Sequence, residues 1–345
     1  MTMANIIDIC HVNIRSLNSE KVDAIKAELA SEFEIICLTE TNLPHAKATD
    51  LSINGFHNIL RKDRVGKTGG GVGVYVTEHL SAVHATDYDI PELEAMWLKV
   101  KAGHNVFMLC VCYRPPNSKA DFWIKLQDSV DLVKQAGVHN IILTGDLNAD
   151  PNTKDGHLLQ LFVESNNFTL HIDKPTRITS TTSTILDQFI SNVPSRVQNV
   201  EVLDPVSTCD HCPIKMSLKM KNTYNKPKAF QRHIWQYDKA DLSEFRNKLT
   251  TADWDACFNH GDVDGVCGAW AETFLNIARE SIPNKVITVR PSDKTFFNPE
   301  LRKLRNRKNR AHRKAKNLNT PFYWDKFREI RNLYNGKIKE AKIKD

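Results

Sequence analysis

Up to about residue 220, short runs of β-branched and other apolar residues alternate with amphipathic stretches and turn residues. Runs this short and this continuously apolar suit strands covered on both faces, so the pattern predicts a layered α/β fold. Strands are expected at 6–12, 35–39, 72–77, 96–100, 106–113, 141–144, 186–190, 200–203 and 214–218, with helices at 21–31, 121–135 and 157–165. A chain of 345 residues accommodates one large α/β domain and an extension. No stretch approaches the ~18 uncharged apolar residues of a membrane span, so no membrane partner is expected.

Beyond Met220 the character changes. Lys221-Asn-Thr-Tyr-Asn-Lys-Pro-Lys228 is polar and reads as the start of a linker over 221–240, followed by a mostly α-helical basic extension over 241–345. Helices are expected at 241–249, 270–281, 298–317 and 323–344. The last two carry too few apolar residues for a core of their own and need a partner. From Lys285 onward there are 19 Lys and Arg against 6 Asp and Glu, a net of +13, which leaves −7 for the preceding 284 residues out of a total of +6. That segment is the footprint of a polyanion partner. If it serves only affinity, ending the chain at Lys221 should weaken polyanion binding and flatten its salt dependence while leaving the function of the preceding domain intact.

The N-terminal segment has no basic leader and Asp8 interrupts its apolar run, so a nuclear or cytoplasmic location is expected, not secretion. The eight cysteines fit a reducing compartment, because Cys10, Cys37, Cys110 and Cys112 lie inside apolar runs. Cys209-Asp-His-Cys212 contains a CxxC, but no second CxxC or HxxxH at zinc spacing accompanies it. Gly69-Gly-Gly-Val-Gly73 lacks the Lys-Ser/Thr of a phosphate loop and reads as close backbone approach at the start of a strand.

The apolar runs repeatedly end in acids, amides and hydroxyls. Asn13, Glu40, Tyr113 and Gly145-Asp-Leu-Asn148 follow four of them, Asp187 lies within another, and Asp210-His211 precedes the last. Strand ends are where side chains distant in sequence converge on a ligand. Phosphodiester hydrolysis gives such a set a use. Glu40, with Asn13 and Asp210, offers the oxygen ligands magnesium prefers. Asp146 can orient or deprotonate a water, and Asn148 can hold the phosphate. His211, oriented by Asp187, can bond the phosphate or act as acid or base. Tyr113 adds a hydroxyl donor.

Asn13-Ile-Arg-Ser-Leu17, Leu38-Thr-Glu-Thr41, Tyr113-Arg-Pro-Pro116, Gly145-Asp-Leu-Asn148, Leu186-Asp187 and Cys209-Asp-His-Cys-Pro213 fall in the order seen in the endonuclease/exonuclease/phosphatase family. Over residues 4–220 the chain resembles that family, and most of all its branch from non-LTR retrotransposons of the jockey and chicken-repeat type. The resemblance implies a four-layer, DNase I-like α/β sandwich and a Mg²⁺-dependent DNA endonuclease, with Mn²⁺ as a substitute metal. Such an enzyme nicks target DNA to leave a 3′-hydroxyl primer. Residues 230–345 resemble the connector that precedes a reverse transcriptase, and element RNA is a candidate partner of the basic segment; no Tyr-x-Asp-Asp-like polymerase site occurs in the chain. Arg114, Thr176, Arg177 and Thr182 are assigned to DNA by position. Arg15 stands where repair-type members carry a metal-linked Asp. A phosphatase or lipid phosphodiesterase of the same fold, and an idle nucleic-acid-binding remnant, are the competing readings.

Overall fold

The computed structural model describes residues 2–44, 51–66, 68–259, 262–289 and 296–344. The chain opens with β1 (Thr2–Asn13), α1 (Ser19–Glu28), β2 (Ile35–Thr39), β3 (Leu60–Lys62), β4 (Val72–Val76) and β5 (Ser81–His84). It continues through β6 (Glu94–Ala102), β7 (Asn105–Tyr113), α2 (Asp121–Gln135), β8 (Ile141–Asp146), α3 (His157–Ser165) and β9 (Thr169–Leu170). A short hairpin of β10 (Arg177–Ile178) and β11 (Ser183–Thr184) precedes β12 (Asp187–Ser191), β13 (Val197–Val202) and β14 (Ile214–Lys226). The remainder comprises β15 (Phe230–Trp235), α4 (Leu242–Thr251), α5 (Val263–Ser281), β16 (Asn284–Val289), α6 (Pro299–Leu318) and α7 (Pro321–Lys344).

Two six-stranded mixed sheets form the centre, ordered β13-β14-β1-β2-β4-β3 and β5-β6-β7-β8-β12-β9. Among the described residues, only β1 with β2 and β7 with β8 pair in parallel. The alternation of side chains along a strand explains the layers. Ile7 and Ile9 of β1 face Leu109 and Val111 of β7, Ile142 of β8 and Phe189 of β12 in a core between the sheets. Cys10 and Val12 face the other way, against Val22 and Ile25 of α1. On the far side of the second sheet, Met108 and Cys110 pack beneath Trp123 and Leu126 of α2 and Phe162 of α3. Helix, sheet, sheet and helix give the DNase I-like sandwich that the sequence implied.

The chain divides into two compact units, one of Met1–Pro227 with Ser292–Asp345, the other of Lys228–Pro291. This differs from a linker at 221–240 ahead of a continuous extension. Residues 221–226 continue β14, because Tyr224 buries its ring and donates its hydroxyl to Ile6 O at 2.7 Å, and Lys226 pairs with Glu34. In the second unit β15 and β16 form an antiparallel pair, and α4 and α5 bring Phe245, Trp270 and Phe274 together.

Helices α6 and α7 find their partner within the first unit. Ala27 of α1 packs with Leu301, Tyr334 and Ile338. Lys308, fully buried, donates to Glu28 Oε2 at 2.6 Å and to Pro205 O at 2.9 Å. His312 and Arg313 both pair with Asp204 at 3.0 Å.

At the end of β8, Gly145 runs so close to β7 that a Cβ there would lie 1.7 Å from Cys112 O. Gly145→Ala must therefore push the two central strands apart. We expect a loss of stability on the order of 3 kcal/mol, read as a lowered urea midpoint with unchanged slope. A loss under about 0.5 kcal/mol would contradict this close approach.

Candidate active site

Strand parity places the candidate residues. On β1 the residues facing the second sheet are 7, 9, 11 and 13, so the alternation that buries Ile7 and Ile9 also turns His11 and Asn13 inward. The same reasoning turns Tyr113 inward after Leu109 and Val111, Asp146 inward after Ile142, and Asp187 inward before Phe189. Strands β1, β7 and β8 end where β12 begins, and His211 lies just ahead of β14, antiparallel to β1. One end of the sandwich thus gathers residues 13 to 211 around its inner faces.

Asn13 sits at the junction. Its Nδ2 donates to Glu40 Oε1 at 2.9 Å and to Asp146 Oδ2 at 2.8 Å, while its Oδ1 accepts from Arg15 N at 3.1 Å. Tyr113 donates its hydroxyl to the same Glu40 oxygen at 2.8 Å. Burial, then the neighbouring Glu40 charge, raise the tyrosine's pKa far above its ordinary value, so it remains a donor. Glu40 itself has φ +52°, as Arg15 (+50°), Ser16 (+75°) and Asn42 (+50°) also have positive φ. Four non-glycine residues held in the left-handed region within two adjoining loops are strained, and Ser16 N→Glu40 O and Leu17 N→Thr41 O, both 2.8 Å, lock those loops together.

Asp146, Asp187 and His211 lie within 4.8 Å of one another. His211 Nδ1 bonds Asp187 Oδ2 at 2.8 Å, leaving Nε2 3.9 Å from Asp146 Oδ2. Burial alone would lower the histidine's pKa, but the charge and hydrogen bond of Asp187, with Asp146 and Asp210, raise it from 6.5 to about 9. Burial, then the Asp187 charge, raise Asp146 from 3.8 to about 7. Burial also works against ionised Asp187, yet His211, His11 and Thr176 hold it below the usual carboxylate range. Asp187 thus favours the imidazolium form of His211, while burial and the Asp187 charge disfavour the ionised form of Asp146.

Asn148, at φ +44°, donates its backbone N–H to Asp146 Oδ1 at 3.1 Å and its side-chain amide to Arg114 O at 2.9 Å. Asp210 is held by Arg177 at 3.0 Å and Arg15 at 3.4 Å. Burial would raise its pKa, but His211 and the two arginines keep it low.

The four residues assigned to DNA by position lie in different settings. Arg114 is only 8% exposed, and its guanidinium donates inward to Leu147 O, Asn148 O and Ser118 O. Thr176 is fully buried; its hydroxyl donates to Asp187 Oδ2 at 2.6 Å and accepts from Leu186 N and Asp187 N. As they stand, both support the centre from within. Arg177 lies at the start of the β10–β11 hairpin, and Thr182 is exposed in its turn, bonded to Thr179 at 2.8 Å.

Sequence reasoning passed over His11. It is fully buried, with Nδ1 3.6 Å from Asp187 Oδ1 and Nε2 3.2 Å from Thr39 Oγ1. Burial lowers its pKa to about 4, so it stays neutral beside Asp187. The available signal was a histidine inside an otherwise apolar strand two residues before Asn13. Arg64 was also missed: it lies 5.8 Å over the Tyr113 ring and bonds Glu94, whose other oxygen accepts from Gly71 N at 2.7 Å. The glycine-rich run thus shapes a wall of the site.

A divalent cation suits this donor set. Glu40 and Asp146 meet at one amide nitrogen, Asp187 adjoins Asp146, and Asp187 Oδ1 has no hydrogen-bond partner among the described residues. Burying that much negative charge together is costly without a counter-ion, and hard carboxylate and amide oxygens are what magnesium takes. The Asp146, Asp187 and His211 group is the less apt ligand set, because His211 Nδ1 is committed to Asp187 at 2.8 Å.

No curated protein matches the chain. The fold is similar to that of the endonuclease domain of TRAS1, a telomere-specific non-LTR retrotransposon, at 13% identity and TM-score 0.52, covering 63% of this chain and all of that one. It is similar to the Xenopus laevis APE2 catalytic domain at 16% identity and TM-score 0.51, covering 64% and 94%. The 3′–5′ exonuclease NExo of Neisseria meningitidis gives 15% and 0.50, covering 62% and all of its chain. The sequence profile of the endonuclease/exonuclease/phosphatase family matches residues 10–309, and with these residues on this fold the chain belongs to that family of metal-using hydrolases of phosphodiester and phosphate ester bonds.

Proposed function

We propose that the chain is a Mg²⁺-dependent DNA endonuclease of the non-LTR retrotransposon type. The observation that carries this reading is the convergence of Asn13, Glu40, Tyr113, Asp146, Asp187 and His211 at one end of the sandwich. The +13 charge of the last 61 residues and the likeness in fold to a retrotransposon endonuclease domain favour DNA over a lipid or inositol phosphate.

Glu40 would hold the metal, with Asn13 fixing its carboxylate. When bound, the metal would polarise the scissile phosphate and offset its charge. Asp146, ionised, orients the attacking water and takes its proton, while Asn148 steadies the Asp146 carboxylate through its backbone N–H. His211 carries a proton on Nε2, facing the gap to Asp146, and donates it as a hydrogen bond to a phosphate oxygen as charge builds there. Asp187 keeps the ring oriented and charged, with Thr176 and His11 behind it. The reaction breaks one P–O bond and adds water across it, giving a 5′-phosphate and a 3′-hydroxyl.

The test offers the purified chain supercoiled plasmid, sphingomyelin and inositol phosphates in parallel, with Mg²⁺ or EDTA. The expected result is open-circle plasmid in Mg²⁺ alone, its nicks extendable by a polymerase, with the other substrates intact. Faster hydrolysis of either phosphate ester, or DNA binding with no nicking, would overturn the assignment.

A further inference from the structure

Helices α6 and α7 enclose a groove of about 250 Å³ lined by Arg307, Arg310, Lys314, Lys326 and the ring of Tyr323, and among the described residues no carboxylate lines it. On α6 the three cations recur at intervals of three and four residues, so they share one face of the helix. No ion pair engages any of these four side chains among the described residues; instead Lys314 lies 4.7 Å over Tyr323 and Lys326 lies 5.9 Å over Phe322. The contrast with neighbouring cations is direct, since Arg313 pairs with Asp204 and Lys308 with Glu28. Four unpaired positive charges around a concave surface repel one another and favour an anion.

The groove adjoins the centre through the β10–β11 hairpin. Tyr323 and Ala311, which line it, pack in one cluster with Ile178 of β10. The next residue back, Arg177, pairs with Asp210 and forms a bridge with His211. Asn319, in the turn between the two helices, donates to Ser180 O in the hairpin.

We infer that the α6–α7 groove is an exosite for the phosphodiester backbone of duplex DNA flanking the cut. From Arg307 to Lys314 the helix rises about 10 Å, a length over which a duplex carries about six phosphate charges. Three cations on one face and a fourth from α7 can therefore each meet a phosphate, with the Lys314 and Lys326 ammonium groups lying over the rings of Tyr323 and Phe322. The sandwich end binds the scissile phosphate, and this groove holds the same duplex beyond the hairpin. The assignment rests on the endonuclease reading for its choice of DNA, so the test measures binding separately from cleavage.

The full-length chain carrying Arg307→Gln, Arg310→Gln and Lys314→Gln is compared with wild type in EDTA, by fluorescence anisotropy over a range of KCl. A control carries Arg302→Gln, Lys303→Gln and Arg313→Gln, removing equal charge from α6 outside the groove. On a duplex of about 30 base pairs the groove variant should bind at least about tenfold more weakly at ~0.1 M salt, with the slope of log K against log salt reduced by about two to three; on one of about 10 base pairs it should match wild type. Melting temperatures within a few degrees of wild type establish that the fold is intact, and a single Lys314→Gln variant, expected to remove about one unit of slope, replaces the triple if it melts early. An unchanged slope, an equal loss in the control, or a loss confined to single-stranded RNA would overturn the exosite. A reduced slope in a chain that never nicks plasmid would uphold the groove and refute the endonuclease reading alone.

Discussion

His211→Ala should lower the nicking rate by ~10²–10⁴-fold, the usual worth of a positioned acid or base, while duplex affinity in EDTA changes less than about threefold. The cause is local: the variant removes a cation clamped at 2.8 Å by Asp187 and leaves Asp146 without its charged neighbour. The pH profile makes the expectation sharper. The imidazolium form is present below about 9 and is lost as pH rises through that value, so wild-type activity should fall on the alkaline side there. Asp187→Asn removes the strongest influence raising that pKa, so its alkaline limb should move down by ~1–3 units. An alkaline limb that stays near 9 in Asp187→Asn would show that His211 is not the titrating group.

Lys308→Ala should be among the most destabilising single changes in the first unit. Its ammonium is fully buried between Glu28 and Pro205 O, and the Tyr334 ring lies 5.1 Å away. Removing it leaves Glu28 buried without its cation, at a cost of ~3–5 kcal/mol, or a drop in melting temperature on the order of 10 °C. Lys308→Met with Glu28→Met in the same chain should recover most of that loss, since no charge is then stranded. The same packing revises the outcome of truncation. A chain ending at Lys221 loses the end of β14, the Tyr224 anchor and the helices that cover Ala27 and hold Asp204. The expected result is a destabilised domain with impaired chemistry, not a soluble nuclease with weaker affinity. Native-like melting of that fragment would contradict the role given to α6 and α7.

The division between what the sequence disclosed and what it concealed follows the physics of each signal. Strands covered on both faces, such as β2, β7 and β8, announce themselves because their apolar runs are continuous. Strands of two or three residues, such as β3, β10 and β11, leave no periodicity to detect, yet the last two form the hairpin beside His211. The acids and amides at strand ends were legible because burying them needs a reason. Thr176, Arg114 and His11 were not: a threonine, an arginine and a histidine look alike in sequence whether they meet solvent or hold a carboxylate from behind. The run from Lys285 read as a polyanion footprint throughout because composition does not show that Lys308 and His312 turn inward.

The account rests on Glu40, tied through Asn13 to the Asp146 that works beside it, receiving one divalent cation, and titrating plasmid nicking with Mg²⁺ in wild type and Glu40→Gln tests that most directly. The predicted result is complete loss of wild-type nicking in EDTA, and a Glu40→Gln enzyme that needs at least about tenfold more Mg²⁺ to reach half of its own maximal rate. Nicking that continues in EDTA, or a Mg²⁺ curve for Glu40→Gln that superimposes on wild type, would contradict it.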